Sequence, residues 1–161
     1  TALLNDQELQ DYLKEKNIKL LFYIHPKLQE FISTFYSEDS QIELYSFDSM
    51  PMNQLLMRCS MMITDYSSAC WDVYYQGKPI LFYQFDLDQY NQTNGSYIDM
   101  ETEIWGDRCM KQADLIRLIK EYAENGFQEK EKYAAMRKDY FAYIDHNNCQ
   151  RTYDYIKSQG F

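Results

Sequence analysis

Three groups of residues in this 161-residue chain have the types and spacing to do chemistry. The first is Asp65-Tyr66-Ser67-Ser68, which follows the apolar run Met61-Met-Ile-Thr64 and precedes a helical pattern carrying Cys70, Val73 and Tyr74. A strand that ends in small hydroxyl residues and turns into a helix leaves free amides at the helix start. Those amides, with the positive end of the helix dipole, suit a phosphate. Ser67 and Ser68 add hydroxyl donors without bulk, although Asp65 or Ser67 capping the helix is an equally simple use of the turn. The second is His25, beside Pro26 at the end of the β-prone run Ile18–Ile24. An imidazole there can donate one proton and accept another, or stand next to a phosphate, while a solitary histidine also serves structural roles. The third is Asp72, four residues beyond Ser68 and so one helical turn along the same face. Its carboxylate is placed to hold sugar hydroxyls, or simply to face solvent.

Beyond these, Gln84 to Arg108 is polar, aromatic and irregular, too long for a mere connector. Asp86, Tyr90, Gly95 and Tyr97 within it are candidates for covering a ligand. Lys78-Pro79 reads as the lead-in to a strand with a solvated lysine, and His146 in Asp145-His-Asn-Asn148 as turn chemistry. The cysteines, Cys59, Cys70, Cys109 and Cys149, are 11, 39 and 40 positions apart with no CxxC pair. Zinc and thiol-redox motifs are therefore not read, and no metal or cofactor is assigned. The aliphatic settings of Cys59 and Cys70 suit reduced, buried thiols.

The elements that must position these groups follow from periodicity. Asn5 or Asp6 is placed to cap a helix running to Lys16, with Leu9, Tyr12 and Leu13 inward. Strands are predicted over residues 18–24, 42–45, 61–64 and 80–83. Leu28, Phe31, Ile32 and Phe35 fall on one face of a predicted helix. Ser49 is expected to cap another that starts near Pro51 with Met52, Leu55 and Leu56 inward. Gly77 ends the helix after the Asp65 turn. Three C-terminal helices follow, on the patterns Leu115/Ile119/Tyr122, Tyr133/Met136/Tyr140/Ile144 and Cys149/Tyr153/Ile156. Strand and helix alternate through about the first 85 residues, the pattern of a parallel sheet. The expected fold is α/β, a Rossmann-like parallel sheet with helices on both faces, as a single domain over 1–161. In such folds ligands sit beyond the carboxyl ends of strands, where His25 and the Asp65–Ser68 turn both fall.

Composition narrows the partners. Lys and Arg total 16 against 25 Asp and Glu, a net charge of −9. That excludes nucleic-acid binding through a broad basic surface and disfavours a polybasic membrane anchor. Hydrophobic residues make up 45%, including 16 Tyr. About 35% apolar residues remain without them, enough for a core with a tyrosine-rich boundary. No apolar run reaches the roughly 20 residues of a membrane span.

The strings Met62-Ile-Thr-Asp-Tyr-Ser-Ser68, Trp71-Asp72, Gly77-Lys-Pro-Ile80, Phe82-Tyr-Gln-Phe-Asp86, Tyr90 and Gly95-Ser-Tyr-Ile-Asp99 resemble the C-terminal half of the CDP-glycerol glycerophosphotransferases. That family comprises teichoic-acid polymerases and primases with their CDP-ribitol relatives. Ile24-His-Pro26 is similar to its His-Pro motif, and the resemblance spans roughly residues 18–120. It implies the C-terminal half of a GT-B fold, a CDP-glycerol or CDP-ribitol donor and a lipid-linked polyol-phosphate acceptor. It also implies a partner N-terminal half that brings a second histidine as general base. Asp65, Ser67 and Ser68 would cradle the pyrophosphate, His25 would stabilise departing CMP, and Asp72 would contact ribose. The implied location is the cytoplasm, peripheral at the inner membrane face. Where the family carries Arg-Gly this chain has Asn94-Gly95, and the family's first strand of this half is expected upstream of Thr1. A UDP-sugar transferase or epimerase, or a binding domain without catalysis, are the alternatives.

Overall fold

In a computed structural model, which describes residues 2–46 and 48–160 apart from the side chains of Pro26 and Gln29, parallel strands alternate with helices. Asp6 caps α1 (Gln7–Lys16) by accepting from the Leu9 N–H at 3.1 Å, and Asn17 closes it in the left-handed region at φ 53°. The chain then forms β1 (Leu20–Tyr23), a 3₁₀ helix over Pro26–Thr34, and β2 (Ile42–Tyr45), which pairs with β1. α2 (Met52–Arg58) leads to β3 (Met62–Thr64), α3 (Cys70–Tyr75) and β4 (Ile80–Tyr83). Next come α4 (Leu87–Thr93), β5 (Asp107–Cys109), α5 (Gln112–Glu124), α6 (Glu131–Tyr140) and α7 (Asn148–Ser158). The strands lie in two sheets, β1-β2 and β3-β4-β5, parallel throughout.

The period of two along β4 shows why helices cover both faces. Ile80 and Phe82 join Val73, Tyr74 and Trp105 on one side. Leu81 and Tyr83 join Leu9, Leu13, Leu115 and Ile119 from α1 and α5 on the other. Ile80, Leu81 and Phe82 are at most 1% exposed, and each contributes roughly 1.5–3 kcal/mol by leaving water. The second cluster also holds residues of β1, β2 and β3 (Leu20, Phe22, Ile42, Leu44, Ile63), so one core spans the two sheets.

Several expectations are corrected. The sheet is not one ladder: β1 and β3 meet across apolar side chains rather than through backbone bonds. The segment after His25 is 3₁₀, and Leu28, Phe31 and Ile32 are 41–48% exposed. At three residues per turn Leu28 and Phe31 align, but Ile32 and Phe35 swing about 120° away, so the helical stripe never forms. Phe35 lies past the turn and packs its ring against Phe22, 5.1 Å between centroids. Ser49 does not cap α2, because its hydroxyl is engaged with the Ser46 backbone and Pro51 takes the cap position. The stretch 84–108 contains α4 and the start of β5, and is irregular between them. Ile144 lies beyond α6, and α7 buries no residue, with Tyr153 and Ile156 exposed. All four cysteines are free, with Cys70 buried as expected and Cys59 only half-buried.

Candidate functional site

The residues after β1 and those after β3 line one cleft of about 460 Å³. Its lining includes Phe22, Tyr23, Thr64, Tyr83 and Phe85 together with His25, Asp65 and Ser67. His25 follows the extended Ile24, and its Nδ1 accepts the Lys27 N–H at 3.1 Å as the 3₁₀ helix begins. With Nδ1 accepting, Nε2 is the ring nitrogen left to act outward as a donor. The Pro26 side chain, the other half of the expected His-Pro motif, lies outside the described residues.

The turn after β3 is shaped by its own side chains. The Asp65 carboxylate accepts the Tyr66 N–H at 2.6 Å, and the Ser67 hydroxyl oxygen accepts the Ala69 N–H at 3.3 Å. The Ser67 and Ser68 carbonyls accept from Cys70 and Trp71, closing the first turn of α3. Neither Asp65 nor Ser67 caps α3, whose N-cap is Ala69 with no side-chain cap bond; their side chains brace the turn instead, and the Ser67 and Ser68 O–H groups remain as donors. Burial pushes the Cys70 thiol up to about 12, so it offers no thiolate at neutral pH. No lysine or arginine lines the cleft among the described residues, and no His/Cys/Asp/Glu group there could hold a metal.

Neighbouring elements hold the turn in place. Gln84, fully buried at the end of β4, donates from Nε2 to the Asp65 carbonyl at 3.2 Å. Tyr66 turns out of the cleft, stacks on Tyr90 with centroids 3.6 Å apart, and donates its O–H to Asp86 Oδ1 at 2.9 Å. Sequence reasoning did not single out Gln84 or Tyr66. The available signal was a polar residue ending the buried run Ile80–Tyr83. Lys78 proves structural, its Nζ donating to the Leu56 and Met57 carbonyls at 2.9 Å and so closing α2.

His25, Asp65 and Ser67 therefore converge, with Ser68 exposed on the same turn. Asp86 and Tyr90 reach the turn through Tyr66. Asp72 does not join them: it is exposed on α3 and lines a separate groove with Tyr75, Tyr140 and Tyr143. Gly95, at φ 69°, and the fully exposed Tyr97 lie outside the cleft lining. The arrangement places the His25 ring and the Ser67 hydroxyl in a mostly apolar trough, with the Asp65 carboxylate beside them bonded to the Tyr66 amide.

Comparison with known proteins places the chain in a family. The profile of the CDP-Glycerol:Poly(glycerophosphate) glycerophosphotransferase family matches residues 1–158. The minor teichoic acid biosynthesis protein GgaB of Bacillus subtilis is 31% identical over 96% of the chain, which covers 17% of that protein. The teichoic acid glycerol-phosphate primase of the same organism is 33% identical over 71% of the chain, covering 29% of the primase. The chain thus spans less than a third of either relative. Among solved structures, the wall teichoic acid polymerase TagF matches over 97% of this chain and 48% of its own, at 20% identity and a TM-score of 0.54. A histidine variant of that polymerase soaked with CDPG gives 0.55 with the same coverage. The fold is accordingly the Rossmann-like α/β unit expected of one half of a GT-B architecture. The chain belongs to the CDP-glycerol:poly(glycerophosphate) glycerophosphotransferase family.

Proposed function

We propose that this domain is the donor-binding, C-terminal half of a polyol-phosphate transferase that uses CDP-glycerol or CDP-ribitol. The observation that carries the reading is the convergence of His25, Asp65 and Ser67 on one cleft beyond β1 and β3. The pyrophosphate lies where the Ser67 and Ser68 hydroxyls and His25 Nε2–H donate to its oxygens. An acceptor hydroxyl attacks the donor's β-phosphorus, forming the new P–O bond. The bond from that phosphorus to the bridging oxygen breaks, and CMP leaves with the electron pair. The hydroxyl proton passes to a base in the N-terminal half. Asp65 shapes the turn through the Tyr66 amide.

The acceptor is a lipid-linked polyol-phosphate chain, and the full-length protein works at the inner face of the plasma membrane. No helix among the described residues is long and apolar enough to cross a membrane, so attachment comes through the acceptor or the rest of the protein. Titration of CDP-glycerol followed by NMR, with CMP and UDP-glucose as comparison ligands, tests the reading. Shifts at His25, Ser67 and Ser68 with cytidine preferred over uridine are expected, and Ser68→Ala weakens the donor. Tighter binding of UDP-glucose moves the domain to the sugar transferases, and an unchanged affinity in Ser68→Ala reduces the turn to a structural link.

A further inference from the structure

Asp65 and Ser67 line the cleft, whereas Tyr66 between them does not. Its side chain makes two contacts to α4, the ring stack on Tyr90 at 3.6 Å and 7° and the O–H bond to the N-cap Asp86 at 2.9 Å. Asp86 leaves its own helix uncapped: as the N-cap residue of α4 it makes no side-chain bond to the helix amides. A carboxylate in that position ordinarily caps, so its use on a phenol 20 residues away is a tertiary choice. From β4, the Gln84 amide grips the adjacent Asp65 carbonyl at 3.2 Å. Burial and the Asp86 carboxylate together push the Tyr66 phenol pKa up, so the phenol remains a donor at every working pH.

We infer that Tyr66 is a positioning residue for the donor. Anchored by Asp86 and Tyr90, it pins the Asp65–Ser68 turn so that the residues on either side of it face the cleft, and it ties the start of α4 to that turn. The inference rests on the donor-binding reading above. The physical cause is anchoring: Tyr66 is bonded and stacked outside the turn while Gln84 holds the adjacent Asp65 carbonyl, and a phosphate cradle made of short hydroxyls has no long side chain with which to compensate for a shifted backbone. The same linkage makes segment 86–97 responsive to the turn, since Asp86 and Tyr90 both belong to it.

The test uses the full-length protein as wild type, Tyr66→Phe, Asp86→Ala, Asp86→Asn and the Tyr66→Phe/Asp86→Ala double variant. CDP-glycerol affinity is measured by calorimetry, and the melting temperature of each protein is recorded. Tyr66→Phe and Asp86→Ala should each weaken the donor about tenfold, the scale of one hydrogen bond to a charged group. The double variant should be no weaker than either single one, because both remove the same bond. Asp86→Asn keeps an acceptor oxygen for the phenol and should bind as wild type does. A role confined to folding would lower the melting temperature while the folded fraction bound the donor normally. Tyr66→Phe within twofold of wild type, or Asp86→Asn as weak as Asp86→Ala, overturns the inference. Wild type that does not bind CDP-glycerol overturns the donor reading itself and the positioning role with it.

Discussion

Replacing His25 with alanine separates what the imidazole does for folding from what it does for the reaction. In the fold, the exposed His25 accepts one hydrogen bond, from the Lys27 N–H at 3.1 Å where the 3₁₀ helix begins. Loss of such a cap costs about 1 kcal/mol, which lowers the melting temperature of a chain this size by about 2–4 °C. In the proposed reaction, His25 would supply one oriented donor to the oxygen on which charge collects as CMP departs. Removing a single preorganised donor of that kind costs about 3–4 kcal/mol, or roughly 10²–10³ in kcat. The two effects differ by more than an order of magnitude in their readouts, so thermal melts and single-turnover transfer from CDP-glycerol in the full-length enzyme resolve them. His25→Asn should recover the melting temperature, because its amide oxygen can take the Lys27 N–H, while its shorter reach restores little turnover. A soluble His25→Ala protein that turns over within tenfold of wild type would refute the assignment.

Two further expectations concern the frame behind the site. Asp107 accepts from the Tyr122 and Tyr133 hydroxyls at 2.9 and 2.7 Å and from Lys130 at 2.6 Å, bridging β5, α5 and α6. Asp107→Ala leaves both buried hydroxyls without that acceptor and should cost roughly 3 kcal/mol, at about 1–3 each, in urea unfolding. Burial resists ionisation of Asp107, but the bonds from Lys130, Tyr133 and Tyr122 outweigh it and hold its carboxyl below the usual range. The stabilisation is therefore complete above the unfolded carboxyl value of about 3.9 and is lost as pH falls through the depressed folded value. The gap between wild type and Asp107→Ala should close at acid pH, and a gap that persists there would assign the cost to packing. At Gly106, an added Cβ would sit 2.3 Å from the Ile80 carbonyl oxygen and 2.9 Å from the Phe82 ring. Gly106→Ala must push β5 off β4 and should lose at least about 1–3 kcal/mol, with a near-ultraviolet dichroism change from the adjoining Trp105. An unshifted melt would mean that the β4–β5 ladder yields freely.

What could be read from the sequence was what local chemistry decides. The ends of α1 were legible because Asp6 and Asn17 carry them by their own side chain and backbone. β4 was legible because Ile80-Leu-Phe-Tyr83 is apolar on both faces, as a strand covered twice must be. The site turn was legible for the same reason, since a strand end, a hydroxyl pair and a helix start are contiguous. β5 was not. Asp107-Arg-Cys109 has a β-like shape only because its backbone pairs with Leu81–Tyr83, and nothing in those three side chains announces it. The 3₁₀ segment was misread because helical and 3₁₀ periods separate only after a full turn. Tyr66 with Asp86, and Lys78 with the end of α2, are contacts between residues about 20 positions apart. Such pairs are fixed by how strands stack, and periodicity carries no trace of them.

If the proposed function holds, the lack of lysine and arginine in the cleft lining among the described residues bears on the kind of catalysis this half would offer. Cations would bind the donor pyrophosphate and the departing CMP alike, and binding that is equal in ground and transition states lowers KM without raising turnover. Oriented neutral donors act differently. Their bonds strengthen as negative charge gathers on the leaving oxygen, and the product, still anionic, is not trapped by a fixed positive charge. His25 would fit that logic through its geometry: with Nδ1 accepting the Lys27 amide, Nε2 is the ring nitrogen left to donate a hydrogen bond. CMP, a phosphate monoester with a second ionisation near pH 6, needs no proton to depart at neutral pH. In the proposed reaction the imidazole would then work by hydrogen bonding rather than by proton transfer. The acid–base step of the reaction then belongs to whatever group meets the acceptor hydroxyl on the other side of the phosphorus.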